Sequence, residues 1–353
     1  MKKFRTLALT LLIGGSLLFA LLQPKTYTFQ TTDYFSTAVI LQVKTRSQKE
    51  AQKLWEGCLQ ILQEVSETAD LREEDSEISR FNALSHGEEL VISETFASLW
   101  QQAEACYELT GGAYDPTVYP LVKLWGFAPA AAGEEREYTI PEEETIKAYR
   151  QLLGCEEIVL GSDGSSYTLY KGIPDQEIEG KRCSAMIDLG GIAKGYVCDR
   201  VRDHLQAEGV KEASFRCGSS SLFVLGESEL ALSKPRPGAN EDISFGTLRI
   251  KDQAAADSSD AYRCFEQDGI RYCHILDPET GYPINVRSDG LLSAVVLSSS
   301  AAEADALSTA FCIREVTAGF SSYDGEFRLP LVLAQASPIF HSSCEGKLGI
   351  ALE

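Results

Sequence analysis

The chain has 353 residues, 44% of them hydrophobic, with 52 acidic against 32 basic side chains and a formal net charge of −20. That length suits one large domain or two ordinary ones, and that apolar content supplies a core, which excludes an intrinsically disordered chain. So acidic a surface repels polynucleotides and anionic lipid, which excludes nucleic acid as a partner. It also means that a phosphate ligand needs a local cation or amide donors.

The N-terminus opens with Lys2, Lys3 and Arg5, then runs uncharged from Leu7 to Leu22. No small-x-small cleavage site follows cleanly, and no Cys follows to take a lipid. Residues 1–25 read as an uncleaved signal-anchor, with a cleaved signal peptide as the alternative. Basic residues stay inside, so residues 26–353 are expected outside the cytoplasm, tethered to the cell membrane. Residues 34–45 loosely alternate as a first strand. Residues 47–70 have helical spacing, with Ala51, Leu54, Cys58, Ile61, Leu62 and Val65 on one stripe. Residues 76–84 read as a polar loop or short turn. Residues 93–112 read as a helix that starts on Ser93 and ends at the Gly111-Gly112 pair. Residues 128–144 are small, charged and Pro-bearing, a surface insertion. Residues 156–172 read as a hairpin around Asp163-Gly164. A helix within 190–209 is followed by strands at 213–226, 245–256 and 291–300. A last helix over 301–313 and a closing strand at "RLPLVLAQ" complete the pattern. Helices and strands mix without strict βαβ alternation, which indicates an α+β fold of mixed, largely antiparallel sheets with packed helices. The ten cysteines form no C-x-x-C and no zinc spacing; most read as buried thiols, with one or two bridges left open.

Four short stretches exceed what a fold needs. "GGAYDPTVYPLVKLWGF" (111–127) gives a tight backbone with Asp115 at its mouth, and Trp125 and Phe127 serve either as stacking surface or as core. "IDLGGIAKGYVCDRV" (187–201) ends a strand on Asp188, lets backbone approach closely at two glycines, and opens a helix with Lys194. That is either a phosphate cradle or a Gly-rich turn; neither G-x-x-x-x-G-K-[ST] nor G-x-G-x-x-G is present. "HILDPETGYP" (274–283) sets a His two residues before an Asp-Pro turn that does not itself need one. "SSSAAEADALSTAFCI" (298–313) carries Asp305 and Thr309 one helical turn apart, a carboxylate and a hydroxyl that suit a hard cation such as Mg²⁺. The same acids also suit a helix N-terminus with no ligand.

Together these stretches occur in the order and with the residue types of the ApbE family, the FAD:protein FMN transferases. "DPTVYPLVKLWGF" resembles D-P-T-V-G-P-L-V-x-L-W-G-F, and "IDLGGIAKGY" resembles D-L-G-[GA]-I-A-K-G-Y. "HILDPETGYP" is similar to H-I-[IL]-D-P-x-T-G-x-P, and "AAEADALSTAF" to A-x-x-A-D-A-L-[AS]-T-A. "SEISRFN" resembles the family's early S-x-[IL]-x-R-[FL]-N. The resemblance spans roughly residues 33 to 335. It implies an enzyme that splits FAD, moves FMN onto a Thr or Ser of an acceptor flavoprotein in an extracytoplasmic electron-transfer system, and releases AMP. It implies Mg²⁺ held by Asp305, Thr309 and the backbone carbonyl of Gly191. It maps flavin-nucleotide contacts to Phe35, Phe81, Ala113, Tyr114, Asp115, Asp188 and Lys194, and a general base for the acceptor hydroxyl to His274.

The chain departs from the family pattern in three places. "FRCGSSSLF" (215–223) has Ser219 and Ser220 where the family often has N-x-G-G-[ND]. Asp257 stands for a Thr, an added acid near the expected phosphates, and Tyr119 replaces a usual Gly. Two alternatives keep the same residues: an FAD pyrophosphatase, in which water replaces the acceptor, and a non-catalytic FAD-binding protein.

Overall fold

The computed structural model describes residues 23–129, 137–233, 244–261, 263–284, 286, 292–314, 329–334, 337–338 and 350–351. The expected signal-anchor stretch 1–22 and part of the expected insertion (130–136) lie outside them. Among the described residues no helix is long and apolar enough to cross a membrane.

An eight-stranded antiparallel sheet forms the frame, with spatial order β1-β2-β8-β9-β12-β15-β16-β17. Its strands are β1 (Lys25–Thr31), β2 (Val39–Thr45), β8 (Ala213–Cys217), β9 (Ser221–Leu225), β12 (Ala254–Ser259), β15 (Ser293–Ser298), β16 (Leu329–Ala334) and β17 (Ser337–Pro338). β2 shows why it is a strand: Val39, Leu41 and Val43 are buried while Gln42 and Lys44 are exposed, a period of two. β9 breaks that alternation and is buried at every position. Phe223 and Leu225 join the main core, while Leu222 and Val224 pack against Leu230, Leu248 and Ile250. Those three belong to β10 (Glu227–Ser233) and β11 (Ser244–Lys251), which with β18 (Ile350–Ala351) form a second sheet. Covered on both faces, β9 reads as a continuous apolar run.

Three helices cover the other face. α1 (Gln48–Ala69) is capped by Ser47 Oγ, which accepts from Glu50 N, and buries Ala51, Leu54, Trp55, Cys58, Leu62 and Val65. α6 (Ala193–Ala207) and α7 (Ala301–Ile313) lie side by side on β8, β9, β12 and β15. Asp199 of α6 caps α7 from outside the helix. It accepts from Ala301 N at 2.8 Å, Ala302 N at 3.0 Å and Ser300 Oγ at 2.8 Å, and pairs with Arg202 at 2.6 Å. Those donors would otherwise be the unsatisfied first turn of α7.

The other described helices and small sheets are α2 (Glu77–Asn82), α3 (Glu94–Thr110), α4 (Tyr119–Leu124), α5 (Glu143–Tyr149), β3 (Glu89–Ile92)–β5 (Tyr167–Lys171)–β4 (Ile158–Ser162), β6 (Gln176–Ile178)–β7 (Lys181–Cys183) and β13 (Cys264–Gln267)–β14 (Ile270–Cys273). α3 runs from the Ser93 cap to a left-handed Gly111, as its sequence signals require. β4 and β5 form the hairpin expected around Asp163-Gly164. Every described strand pair is antiparallel.

Four local expectations change. The first strand expected over 34–45 narrows to β2 and follows β1, because Phe35 and Ser36 turn the chain at φ 52° and 47°. Residues 77–82 form a helix where a loop was expected, because Ser76 Oγ accepts from Ser79 N and caps it. Residues 213–226 are a hairpin, not one strand, since Gly218 at φ 74° turns the chain. Residues 245–256 divide likewise into β11 and β12 at Asp252, which adopts φ 47°.

Candidate active site

A cleft of about 520 Å³ opens between the N-termini of α6 and α7, the loop after α3 and the segment following β14. Ten of the residues expected at a site line it: Phe35, Ala113, Tyr114, Asp115, Asp188, Gly191, Lys194, His274, Asp305 and Thr309. Phe81 does not. Its ring is fully buried in the main core with the Lys171 ammonium 4.9 Å from its centroid, so the expected flavin contact there is replaced by a structural one.

The α6–α7 pair builds the polar floor. Asp305 Oδ2 lies 3.4 Å from Lys194 Nζ and accepts from Gly195 N at 3.1 Å, while Ser221 also bonds its carboxylate. Lys194 Nζ donates onward to Gly190 O at 2.7 Å. Burial raises the Asp305 pKa, against the lowering effect of Lys194 and these hydrogen bonds. One turn on, Thr309 Oγ1 lies 3.1 Å from Ser258 Oγ. A methyl group at Gly191 would sit 3.7 Å from Thr309 Oγ1 and 3.2 Å from the Tyr114 ring, so this glycine keeps the floor open.

Tyr114 is buried, and its hydroxyl has no hydrogen-bond partner within the protein. Burial first, then the carboxylates of Asp188 and Asp305 among nearby groups, pushes its pKa well up, so it stays a donor. An unsatisfied buried donor costs free energy that an acceptor brought within reach recovers, and the residue that carries this one lines the cleft. Asp115 accepts from Thr117 N at 2.8 Å and Thr117 Oγ1 at 2.6 Å, and burial raises it to about 6. Asp188 is delivered by a clamp behind it: Asn82 Nδ2 donates to Ile187 O at 2.9 Å, and Ile187 N donates to Asn82 Oδ1 at 2.7 Å.

His274 leaves β14 at the cleft wall, its backbone N–H donating to Arg263 O at 3.0 Å. The turn after it is built by Asp277, whose side chain accepts from Glu279 N and whose carbonyl accepts from Gly281 N. Trp125 resolves its two sequence readings here. It is core, stacked on Tyr272, and its indole N–H donates to Gly281 O at 2.9 Å, fastening the turn that follows His274. Phe127 is equally buried but forms part of the cleft lining.

Sequence reasoning did not find Arg72, Asp70, Ser258 or Arg263, which also line the cleft. Arg72 pairs with Asp70 inside an acidic run that carried no motif. Asp257 does line the cleft, and burial, then Asp305, raises it to about 6. Five aspartates therefore face three permanent cations, Arg72, Lys194 and Arg263, so a pyrophosphate entering this cleft needs a further positive charge. Among the described residues no three His, Cys, Asp or Glu side chains form a metal cage. The available donors are a buried carboxylate, a hydroxyl and a glycine carbonyl. That set fits Mg²⁺, which is commonly held by one or two carboxylates with substrate phosphates completing the shell.

Fold and site together define an α+β protein with a polar, metal-compatible cleft beside a histidine. The model of the ApbE family matches residues 34–327, and the chain belongs to that family. It is 35% identical over 256 residues to the FAD:protein FMN transferase of Vibrio cholerae, covering 72% of this chain and 71% of that protein. It is 30% identical to the FAD:protein FMN transferase of Klebsiella pneumoniae, covering 71% and 72%. Among solved structures, the flavin transferase ApbE from Vibrio cholerae superposes with a TM-score of 0.71 at 27% identity, covering 89% of this chain and 95% of that one. The ApbE protein of Thermotoga maritima superposes at 0.67 with 29% identity, covering 82% and 87%.

Proposed function

We propose that this chain is a transferase that moves the FMN moiety of FAD onto a Thr or Ser hydroxyl of an acceptor protein, releasing AMP. The observation that carries the reading is the shared cleft of the Lys194–Asp305 pair, the unpartnered Tyr114 hydroxyl and His274. In this mechanism the acceptor oxygen attacks the phosphorus of the FMN half of the pyrophosphate. The bond from that phosphorus to the bridging oxygen breaks, and AMP leaves. His274 takes the proton of the attacking hydroxyl; the backbone bond to Arg263 and the fastened turn behind it fix where its backbone sits. Lys194 and Tyr114 donate to phosphate oxygens, which orients the pyrophosphate for in-line attack. Phe35, Val118, Val122 and Phe127 give the flavin ring an apolar flank. Asp305, Thr309 and the Gly191 carbonyl would hold Mg²⁺, which when bound neutralises pyrophosphate charge.

Residues 26–353 carry the catalytic unit in this reading, and residues 1–25 tether it outside the cytoplasmic membrane. Protease accessibility of the tethered chain in intact spheroplasts tests that placement; protection from external protease would refute it.

Incubation of the protein with FAD, Mg²⁺ and an acceptor domain, followed by intact mass, tests the activity. The expected result is an acceptor heavier by one FMN, dependent on Mg²⁺ and lost in His274→Ala and Asp305→Ala. FMN and AMP without acceptor gain would establish the pyrophosphatase instead. Bound, uncleaved FAD would establish a binding protein.

A further inference from the structure

The hairpin that delivers His274 carries two cysteines in register. Cys264 of β13 and Cys273 of β14 are direct cross-strand partners. The turn between them is Asp268-Gly269, with φ of 54° and 78°, the paired positive values of a two-residue type I′ turn. From such a turn the pairs alternate outward. Gln267–Ile270 is hydrogen-bonded, Glu266–Arg271 is not, Phe265–Tyr272 is, and Cys264–Cys273 is not. The next pair confirms the count, since His274 N donates to Arg263 O. The faces agree as well: Phe265 and Tyr272 stack on one side at 4.9 Å, and Arg271 bonds Glu266 on the other, the side of the two sulfurs.

A non-hydrogen-bonded antiparallel pair holds its Cα atoms at about 4.5 Å, within the range a disulfide spans, about 4.4–6.8 Å, with both Cβ atoms on one face. We propose that Cys264 and Cys273 form a disulfide on exposure to a disulfide oxidant, a covalent modification site at the base of the strand pair from which His274 emerges. The proposal stands on register and exposure and does not depend on the flavin reading.

Access sets the order of events. Cys264 is half-buried, whereas Cys273 is 1% exposed. Arg271 Nη1 donates to Cys264 Sγ at 3.5 Å, a cation beside the sulfur where charge develops during exchange. The Cys264 thiolate attacks one sulfur of the oxidant, here glutathione disulfide, and glutathione leaves as a thiol. The Cys273 thiolate then attacks Cys264 Sγ, the Cys264–Cys273 bond forms, and the second glutathione leaves. Two protein thiols are oxidised and one disulfide is reduced to two thiols. Cys198 and Cys217, which neighbour one another on α6 and β8, contrast with this pair: both are fully buried, so neither can meet an oxidant. Cys312 is the competitor: burial first, and then the neighbouring Cys273, raise its pKa, and it has no exposed face to meet an oxidant.

The full chain, first reduced, is incubated with glutathione disulfide, alkylated under denaturing conditions and digested without reductant. The expected product joins the peptides bearing Cys264 and Cys273, two hydrogens lighter than their sum. Cys264→Ser should abolish it and leave Cys273 alkylated. Cys264 recovered only as its glutathione adduct with Cys273 alkylated, a Cys273–Cys312 bridge, or both thiols fully alkylated would each overturn the proposal.

Discussion

Gly195 is a point of close approach between the two site-bearing helices, and Gly195→Ala tests whether their spacing sets the rate. Its N–H donates to Asp305 Oδ2 at 3.1 Å. A Cβ there would lie 2.2 Å from Ala301 O and 2.7 Å from Ala302 Cα, both backbone atoms of α7. A tolerable carbon–oxygen contact is about 3.3 Å, so α7 must move by roughly 1 Å. It cannot simply swing away, because Asp199 holds Ala301 N and Ala302 N. Overpacking of this kind costs about 1–3 kcal/mol, which lowers the unfolding midpoint by roughly 1–4 °C in a chain of this size. The same movement carries Asp305 off position, and a misplacement of about 1 Å costs on the order of 10²-fold in rate. FMN transfer from FAD to an acceptor, followed alongside thermal unfolding, reads both effects. Gly164→Ala is the control: Gly164 has φ 85° and no atom within 4 Å of a Cβ, so it adds backbone strain far from the cleft. It should lower the midpoint and leave the rate. A Gly195→Ala enzyme that keeps its rate, or a Gly164→Ala enzyme that loses as much, would refute the argument.

Three further outcomes are expected. Burial lowers Lys171 to about 8 from 10.5, while its ammonium donates to Leu84 O and Ala185 O at 2.8 Å. The unfolded chain therefore binds more protons than the folded one between about pH 8 and 10.5, so the wild type should gain stability relative to Lys171→Met as pH rises through that window. A flat difference between their pH–midpoint curves would contradict this. Asp257→Asn removes a like charge beside Asp305 and should lower KM for FAD about fivefold, on the order of 1 kcal/mol at partly screened distance. A raised KM would mean that Asp257 supplies ligand oxygen rather than repulsion. Asp199→Ala strands two buried N–H donors, while Arg202 keeps Asp203 and Ser299 O, and should cost about 2–5 kcal/mol by denaturant unfolding; a loss below about 1 kcal/mol would show that water replaces the cap.

The site was legible where sequence and chemistry coincide over a few residues. Asp305 and Thr309 share a helix face by spacing alone, and Lys194 opens a helix after paired glycines, so both reach the cleft wherever their helices pack. Phe81 was not legible, because an apolar ring satisfies a core and a flavin pocket equally and only the Lys171 ammonium above it decides. Arg72 was hidden for the opposite reason: its partner Asp70 sits two residues away, so the pair looks like any surface charge run. The hairpin before His274 lies between these cases. "EQDGIRYC" contains Asp-Gly, the strongest short-range signal for a two-residue turn, and the register follows from that dipeptide by counting. Counting outward sets Phe265 against Tyr272, Cys264 against Cys273 and Arg263 against His274. One turn thus determines both which sulfurs face each other and where the imidazole leaves the strand. A change at Asp268 or Gly269 that slipped the register by one residue would therefore displace both together.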